Sequence, residues 1–262
     1  MAIVSDRYVV ADSLSEGWLD AVRCLYGTPG GKAVHLLVRI LNPLEEVAEV
    51  RAAAQGLIDD WNSRYPAKRH LYDIETTRNT LFPAAWARRH PEPADLADHY
   101  RSRYDVGGDL RTVKANRRGT YFGRIVSYPR ADGESADQLT DTVRKLRDEL
   151  CAKGPKSSRY EINIYSEAHD KNPMSFPCLA HLSMHLHRGR LHAQAIYRNE
   201  TLVGRAYGNY LGIAELQEYI ANAADIDPGE LLITAGHVEL ESGARGAVQA
   251  MLRTLDEQAD SR

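Results

Sequence analysis

Cys178, Arg198 and Asn209 stand twenty and then eleven residues apart, and each is of a type that nucleophilic chemistry uses. A cysteine attacks as its thiolate. With an ordinary pKa of about 8.5 the thiol is mostly protonated at neutral pH, and a neighbouring guanidinium such as that of Arg198 would raise the thiolate fraction. The Asn209 amide offers an acceptor and a donor side by side. Blander roles exist for the same residues: a cysteine also packs as a small hydrophobe, and an asparagine after Gly208 suits a turn or a helix cap. His181, His185 and His187 share one face if their segment is a strand, but without an acidic fourth ligand the pattern does not make a metal site, and no metal is expected.

The elements around these residues are readable from periodicity and punctuation. Asp12 and Ser13 open a helix along which Trp18, Ala21, Val22 and Leu25 recur at helical spacing until Gly27 and Pro29. Val34 to Ile40 reads as a strand, and a second helix is expected over Glu45 to Ile58. From Arg64 to Gly119 no period is sustained, and mixed helix and long loop is expected. Tyr121 to Tyr128 reads as a strand. A helix from Ser135 carries Leu139, Val143, Leu146 and Leu150 on one stripe. Arg159 to Tyr165 alternates polar and apolar residues. Cys178 leads into a hairpin, Ala180 to His187 and Leu191 to Arg198, joined by Arg188-Gly189-Arg190. A helix over Ile213 to Ala223, a strand over Leu231 to Leu240 and a helix over Ala244 to Leu255 follow. Strands and helices interleave without regular β-α-β repetition, so the expected class is α+β, a single domain over residues 1–262 with a mixed β-sheet flanked by helices.

Composition narrows the functions. With 33 basic and 36 acidic residues the net charge is −3, so no global field draws the chain to nucleic acid or to an anionic membrane. No apolar run is long enough to span a bilayer, and Met1 to Ala11 lacks the features of a secretory signal, so a cytoplasmic protein is expected. Three cysteines without Cys-x-x-Cys spacing argue against a disulfide framework or structural zinc. Cys24 and Cys151, on amphipathic helices, are expected to pack.

The block Phe176-Pro177-Cys178, Tyr197-Arg198-Asn199-Glu200-Thr201, Gly204, Asn209 and Gly236-His237-Val238-Glu239 resembles the active-site half of the thymidylate synthase family, in which the same Cys-Arg-Asn spacing occurs. Gly17-Trp18-Leu19 and the Val34 to Asn42 segment resemble the start of the shorter archaeal-type members. Tyr121-Phe122-Gly123-Arg124 resembles the family's Tyr-Gly-Lys/Arg strand, and Ser158-Arg159 its pair of phosphate-binding arginines. The resemblance implies a thymidylate-synthase-like fold and a homodimer in which Arg159 serves the partner subunit. It further implies a methyl- or hydroxymethyltransferase acting at carbon 5 of a pyrimidine nucleotide, with 5,10-methylene-tetrahydrofolate as donor. Cys178 would add to carbon 6 of the ring, Arg198 would activate it and hold phosphate, and Asn209 would pair with a uracil-like edge. Glu75 would organise proton transfer. Arg159, Asn199, Phe122, His237, Glu239 and Glu241 would contact substrate, and Thr201, Gly204 and Arg205 the folate.

Several positions depart from the family pattern. Thr201 stands where the family has a folate-contacting aspartate, Asn199 where it has a serine, and Ser158 where it has the first arginine, with Lys156 or Arg124 available to compensate. Where the family has a His-x-Tyr pair that binds the sugar, an ungapped alignment places Glu239 and Glu241 and a two-residue deletion places His237 and Glu239, so that a carboxylate replaces the phenol either way. These would share a strand face at period two and would suit two vicinal hydroxyls. Only twenty-one residues follow Glu241. A short, polar tail would seal the site poorly and favour water, hence hydroxymethylation, over hydride.

Overall fold

The computed structural model describes residues 7–104, 108–113, 116, 119–152, 160–171 and 177–260. Lys156, Ser158, Arg159, Phe176 and the Arg117-Arg118 pair lie outside them. The elements, in chain order, are β1 (Tyr8–Ser13), α1 (Leu14–Gly27), β2 (Lys32–Asn42), α2 (Ala48–Arg64), α3 (Ile74–Leu81), α4 (Ala84–Ala87), α5 (Pro93–Tyr104), α6 (Asp109–Thr112), α7 (Tyr121–Val126), β3 (Tyr128–Pro129), β4 (Ser135–Ala136), α8 (Gln138–Cys151), β5 (Tyr160–Asn163), β6 (Leu179–His187), β7 (Arg190–Thr201), α9 (Tyr207–Ala223), β8 (Asp227–Glu239) and α10 (Arg245–Asp260). Six strands form one sheet in the order β1-β2-β8-β7-β6-β5. β1 pairs parallel with β2, while β2 with β8 and β5 with β6 are antiparallel. The mixed sheet expected from the sequence is therefore present.

The chain divides into two compact units. The first holds residues 1–78, 197–212 and 230–262, and the second 79–196 and 213–229, so β7 and β8 run through both.

In the first unit the α1 start forms as its sequence directs. Ser13 Oγ accepts from Glu16 N while the Glu16 carboxylate accepts from Ser13 N, 2.9 Å away, a reciprocal cap that satisfies two backbone donors. Trp18, fully buried, donates its indole N–H to Leu202 O at 2.8 Å. It meets the ring of Tyr207 edge-on, 5.5 Å between centroids. Gly17 permits close packing on β2, since a Cβ there would fall 2.9 Å from Ile40 Cγ1.

The sheet of this unit breaks its own alternation. β2 and β8 pair in one register on both sides of His35 and Gly236, with Leu36 opposite Ala235 and Val34 opposite His237. His35 has φ +61, a conformation histidine tolerates better than branched residues do. Buried positions then slip by three along each strand, from Ala33 to Leu36 in β2 and from Ala235 to Val238 in β8. β7 slips likewise, from Tyr197 to Glu200. The β7 carbonyls of Arg198 and Tyr197 lie 3.4 and 3.5 Å from where a Gly236 Cβ would sit.

In the second unit Phe122 packs edge-on to Tyr100 (4.8 Å) and Phe82 (5.9 Å), and the Arg124–Asp170 ion pair closes at 2.7 Å. β6 and β7 are joined by Arg188 and Gly189, both left-handed at φ +50 and +74, the geometry a two-residue hairpin turn requires. Gln217 of α9, fully buried, donates to Leu191 O of β7 and Gly229 O of β8 at 2.7 and 3.0 Å.

Several expectations are corrected. Tyr121 to Tyr128 is not a strand: Thr120 Oγ1 accepts from Gly123 N and caps the helix α7, so a capped turn overrides the β-rich composition. Tyr8–Ser13, not expected as a strand, forms the sheet's parallel edge. Among the described residues of the Arg64 to Gly119 stretch, helices α3 to α6 alternate with loops, in keeping with the mixture expected there. The expected Glu45 helix starts at Ala48 and runs on to Arg64, and α9 begins six residues before Ile213. Asp137, not Ser135, caps α8. β8 ends at Glu239, so Glu241 does not share a strand face with His237. Cys24 is half-buried but Cys151, at the last residue of α8, is exposed and does not pack.

Ser13→Ala is expected to lower the free energy of unfolding by about 1 kcal/mol through loss of the cap. Urea denaturation followed by circular dichroism measures it.

Candidate active site

Most of the expected site residues fall in the first unit. Arg198 and Asn199 lie near the end of β7, Arg198 exposed and Asn199 partly so. The chain then makes a single π turn, Leu202–Ala206, before α9. Such wide turns leave backbone groups to be satisfied from outside. Glu241 does this: its carboxylate accepts from Val203 N at 3.0 Å and Gly204 N at 2.6 Å, with Thr201 contributing a side-chain hydrogen bond. Burial pushes the Glu241 pKa up even so. A Cβ at Gly204 would lie 2.7 Å from Leu71 Cδ2 and 2.8 Å from Glu241 Oε1, so a side chain there would press on the carboxylate that holds the turn. Gly204 and Glu241, expected at folate and at substrate, thus hold the turn that leads to Asn209. Arg205 lays its guanidinium over the Tyr72 ring at 4.8 Å.

Asn209 is the third residue of α9 and is 4% exposed. It is therefore inside the helix rather than capping it. Beside it lies Glu200 of β7, 2% exposed, a buried acid that sequence patterning alone does not single out. Alternation from Arg198 would put Glu200 on the solvent side, and only the slip in the sheet buries it. Tyr210 Oη donates to Glu200 Oε2 at 3.2 Å, and Asn209 supplies a second side-chain hydrogen bond. Glu200 Oε1 and Asn209 Oδ1 make no hydrogen bond among the described residues, and both atoms are buried. Desolvation pushes the Glu200 pKa up to about 8, outweighing the two hydrogen bonds, and pushes that of Tyr210 up as well. At neutral pH Glu200 is mostly a neutral acid carrying an O–H.

His237, expected at the sugar, donates Nδ1–H to Asn199 Oδ1 at 2.6 Å. Two residues each expected at the substrate thus contact one another. Glu239 pairs with Lys32 at 2.8 Å. Glu75 on α3 is half-exposed and ion-paired to Arg51 and, at 2.7 Å, to Arg78. It stands in a charged surface network.

In the second unit Cys178 is half-buried, follows the buried Pro177, and immediately precedes β6. It forms no disulfide. Phe122, expected at the substrate, is fully buried in the aromatic cluster described above. A cavity of about 540 Å³ in this unit is lined by Tyr100, Arg101, Tyr104, Arg111, Arg124 and His169, among others. His181 hydrogen-bonds Glu161 and Asn163, and His185 bonds Ser183. No cluster of metal-ligating side chains occurs among the described residues, nor any helix long and apolar enough to cross a membrane.

Two measurements probe this arrangement. Gly204→Ala is expected to destabilise the protein by about 1–3 kcal/mol by overpacking, read by denaturant unfolding. For Glu200 the folded pKa lies above the unfolded value. Its contribution to stability is therefore fully present below about pH 4.5 and is lost as pH rises to about 8. Glu200→Gln removes this loss. Relative to the parent, the variant should gain stability across that window, on the order of 4–5 kcal/mol at its upper end, and level off above it. Comparing the two proteins cancels the parallel contribution of Glu241.

Residues 40–258 match the sequence model of the thymidylate synthase family, a stretch that includes Cys178, Arg198 and Asn209 and runs through both compact units. The chain accordingly belongs to the thymidylate synthase family, whose members are one-carbon transferases acting at carbon 5 of pyrimidine nucleotides, in general with methylene-tetrahydrofolate as donor.

Proposed function

We propose that this protein transfers a one-carbon unit to carbon 5 of a pyrimidine nucleotide through a covalent adduct at Cys178. The observation that carries this reading is the family match over residues 40–258, within which cysteine, arginine and asparagine keep the family's spacing. In this reading the Cys178 thiolate forms a carbon–sulfur bond at ring carbon 6, and the π electrons of the 5,6 double bond move onto the carbonyl oxygen at carbon 4. Carbon 5 becomes electron-rich and forms the new carbon–carbon bond. Loss of the carbon 5 proton to a base with departure of the donor's nitrogen leaves an exocyclic methylene on the ring; water adds to that carbon, and expulsion of the Cys178 thiolate restores the double bond and gives the hydroxymethyl product. Arg198, exposed at the end of β7, binds phosphate and favours the thiolate. Asn209 reads the ring edge through its donor and acceptor. Glu75 is the candidate for ordering the waters that carry the proton.

The donor we propose is 5,10-methylene-tetrahydrofolate, which supplies the electrophilic methylene carbon. Thr201, just before the π turn, and Arg205, within it, both partly exposed, are the proposed contacts for it. The carboxylate that the family places at position 201 is replaced there by Thr201. Asn199 with His237, and Glu239, are the proposed contacts for the phosphate and sugar, and a homodimer with Arg159 reaching the partner is the proposed assembly. A carboxylate, Glu239, in place of a phenol favours a sugar with vicinal hydroxyls, and a hydroxymethyl product is the outcome we favour.

Incubation with methylene-tetrahydrofolate and 5-fluoro-uridine or 5-fluoro-deoxyuridine monophosphate should give a stable covalent complex in the intact-mass spectrum. Fluorine blocks loss from carbon 5, so the adduct persists. Cys178→Ala should abolish both this adduct and any C5-modified product from the natural nucleotides. Tight nucleotide binding with neither adduct nor product would instead favour a relative that holds nucleotide without turnover, a reading motivated by Thr201.

A further inference from the structure

Glu200 is a buried acid that the proposed chemistry does not use, and its position gives it something to do. Its carboxyl and the Asn209 amide are adjacent, both side chains are more than nine-tenths buried, and each has an oxygen that makes no hydrogen bond among the described residues. Two acceptor oxygens cannot satisfy each other. As placed, the amide donates its N–H to Glu200; with the amide turned over, a protonated Glu200 could donate its O–H to Asn209 Oδ1 instead. If Glu200 is ionised it can only accept, and the amide must offer Nδ2–H instead.

We propose that Glu200 is a positioning residue that fixes which end of the Asn209 amide meets each position of the pyrimidine edge, and thereby sets the preference between uracil and cytosine. This rests on the reading of Asn209 as the base-recognition residue. The edge of an amide that pairs with a base presents one oxygen and one N–H, and the opposite edge meets Glu200. A donating Glu200 holds the amide oxygen at its own corner, whereas an accepting one holds the nitrogen there. Uracil offers an acceptor at carbon 4 and a donor at nitrogen 3, and cytosine offers the reverse. One orientation therefore fits each base, and the wrong orientation leaves buried polar groups opposed to like groups.

The surroundings leave this choice to Glu200. Tyr210 of α9 donates to Oε2 and stays protonated, its own pKa being raised. Of the other charged or titratable groups on elements of this unit, Arg198 on β7 is exposed and His237 on β8 is tied to Asn199. Glu241 is tied to the π-turn backbone, and Glu75 on α3 to Arg51 and Arg78. The causes that displace the Glu200 pKa to about 8 are desolvation, Tyr210 and Asn209, with no charged side chain among them. Both protonation states are therefore accessible near neutral pH.

The test is isothermal titration of the intact protein with uridine and cytidine monophosphates, ribo and deoxyribo, between pH 6.5 and 8.5. The ratio of the two dissociation constants is the readout, because phosphate titration affects both nucleotides alike and cancels. In the parent protein the ratio should shift by about tenfold across this range, the worth of one exchanged hydrogen bond. In Glu200→Gln, which can hydrogen-bond but cannot titrate, it should be independent of pH. Glu200→Leu should have a smaller ratio, also flat. A Glu200 that merely fills space would leave the parent ratio flat, or leave the variants with the parent's profile, and either result overturns the inference alone. Failure of the parent protein to bind any of these nucleotides would overturn the reading of Asn209 as well. If Glu200→Leu does not fold, the glutamine variant decides.

Discussion

The coordinated break in alternation across β2, β8 and β7 is the constraint on which the rest of the first unit depends. A strand presents side chains to its two faces in strict turn. A slip on one strand would mismatch its neighbours unless they slip with it. Here His35 takes a left-handed conformation, Gly236 lies opposite it, and the β7 backbone at Tyr197 and Arg198 passes the same point. The slip exchanges faces near the ends of these strands. It leaves Arg198 in solvent while burying Glu200, two residues later.

Burial of Glu200 then governs its chemistry. A carboxylate removed from water needs several hydrogen bonds or a cation to remain charged. Glu200 has Tyr210 and Asn209 and no charge partner, so neutralisation is the cheaper state. Glu241 is also desolvated, but it accepts from two backbone N–H groups of the π turn and a side-chain hydrogen bond from Thr201. The two acids illustrate different uses of one side chain. Glu241 is spent on architecture, holding the turn against Gly204, while Glu200 keeps an oxygen that makes no hydrogen bond among the described residues.

The π turn itself joins these parts. Trp18 caps the Leu202 carbonyl, Ser15 and Glu46 hold the Tyr207 hydroxyl, and the amphipathic helix α1 is thereby fastened to the segment leading to Asn209. Aromatic bulk and a few buried polar bonds set the start of α9, and with it the position of the residue proposed to read the base.

The sequence by itself determined the mixed α+β class, the capped first helix, the β6–β7 hairpin and the family to which the chain belongs. Each of these rests on local rules: Ser13 with Glu16 closes a cap, Arg188-Gly189 closes a turn, and the spacing of Cys178, Arg198 and Asn209 is a property of the chain. It read α7 as a strand because Tyr121 to Tyr128 is rich in β-formers, whereas a single Thr120 cap selects helix. It missed β1 because a parallel edge strand is defined by its neighbour and not by its own pattern. Tertiary structure alone decided that Glu241 leaves the β8 face for the π turn, that Phe122 is core, and that Glu200 is buried beside Asn209. Those outcomes depend on non-local pairing, on where three strands slip together and on which oxygen meets which backbone N–H, and no period in a single segment carries that information.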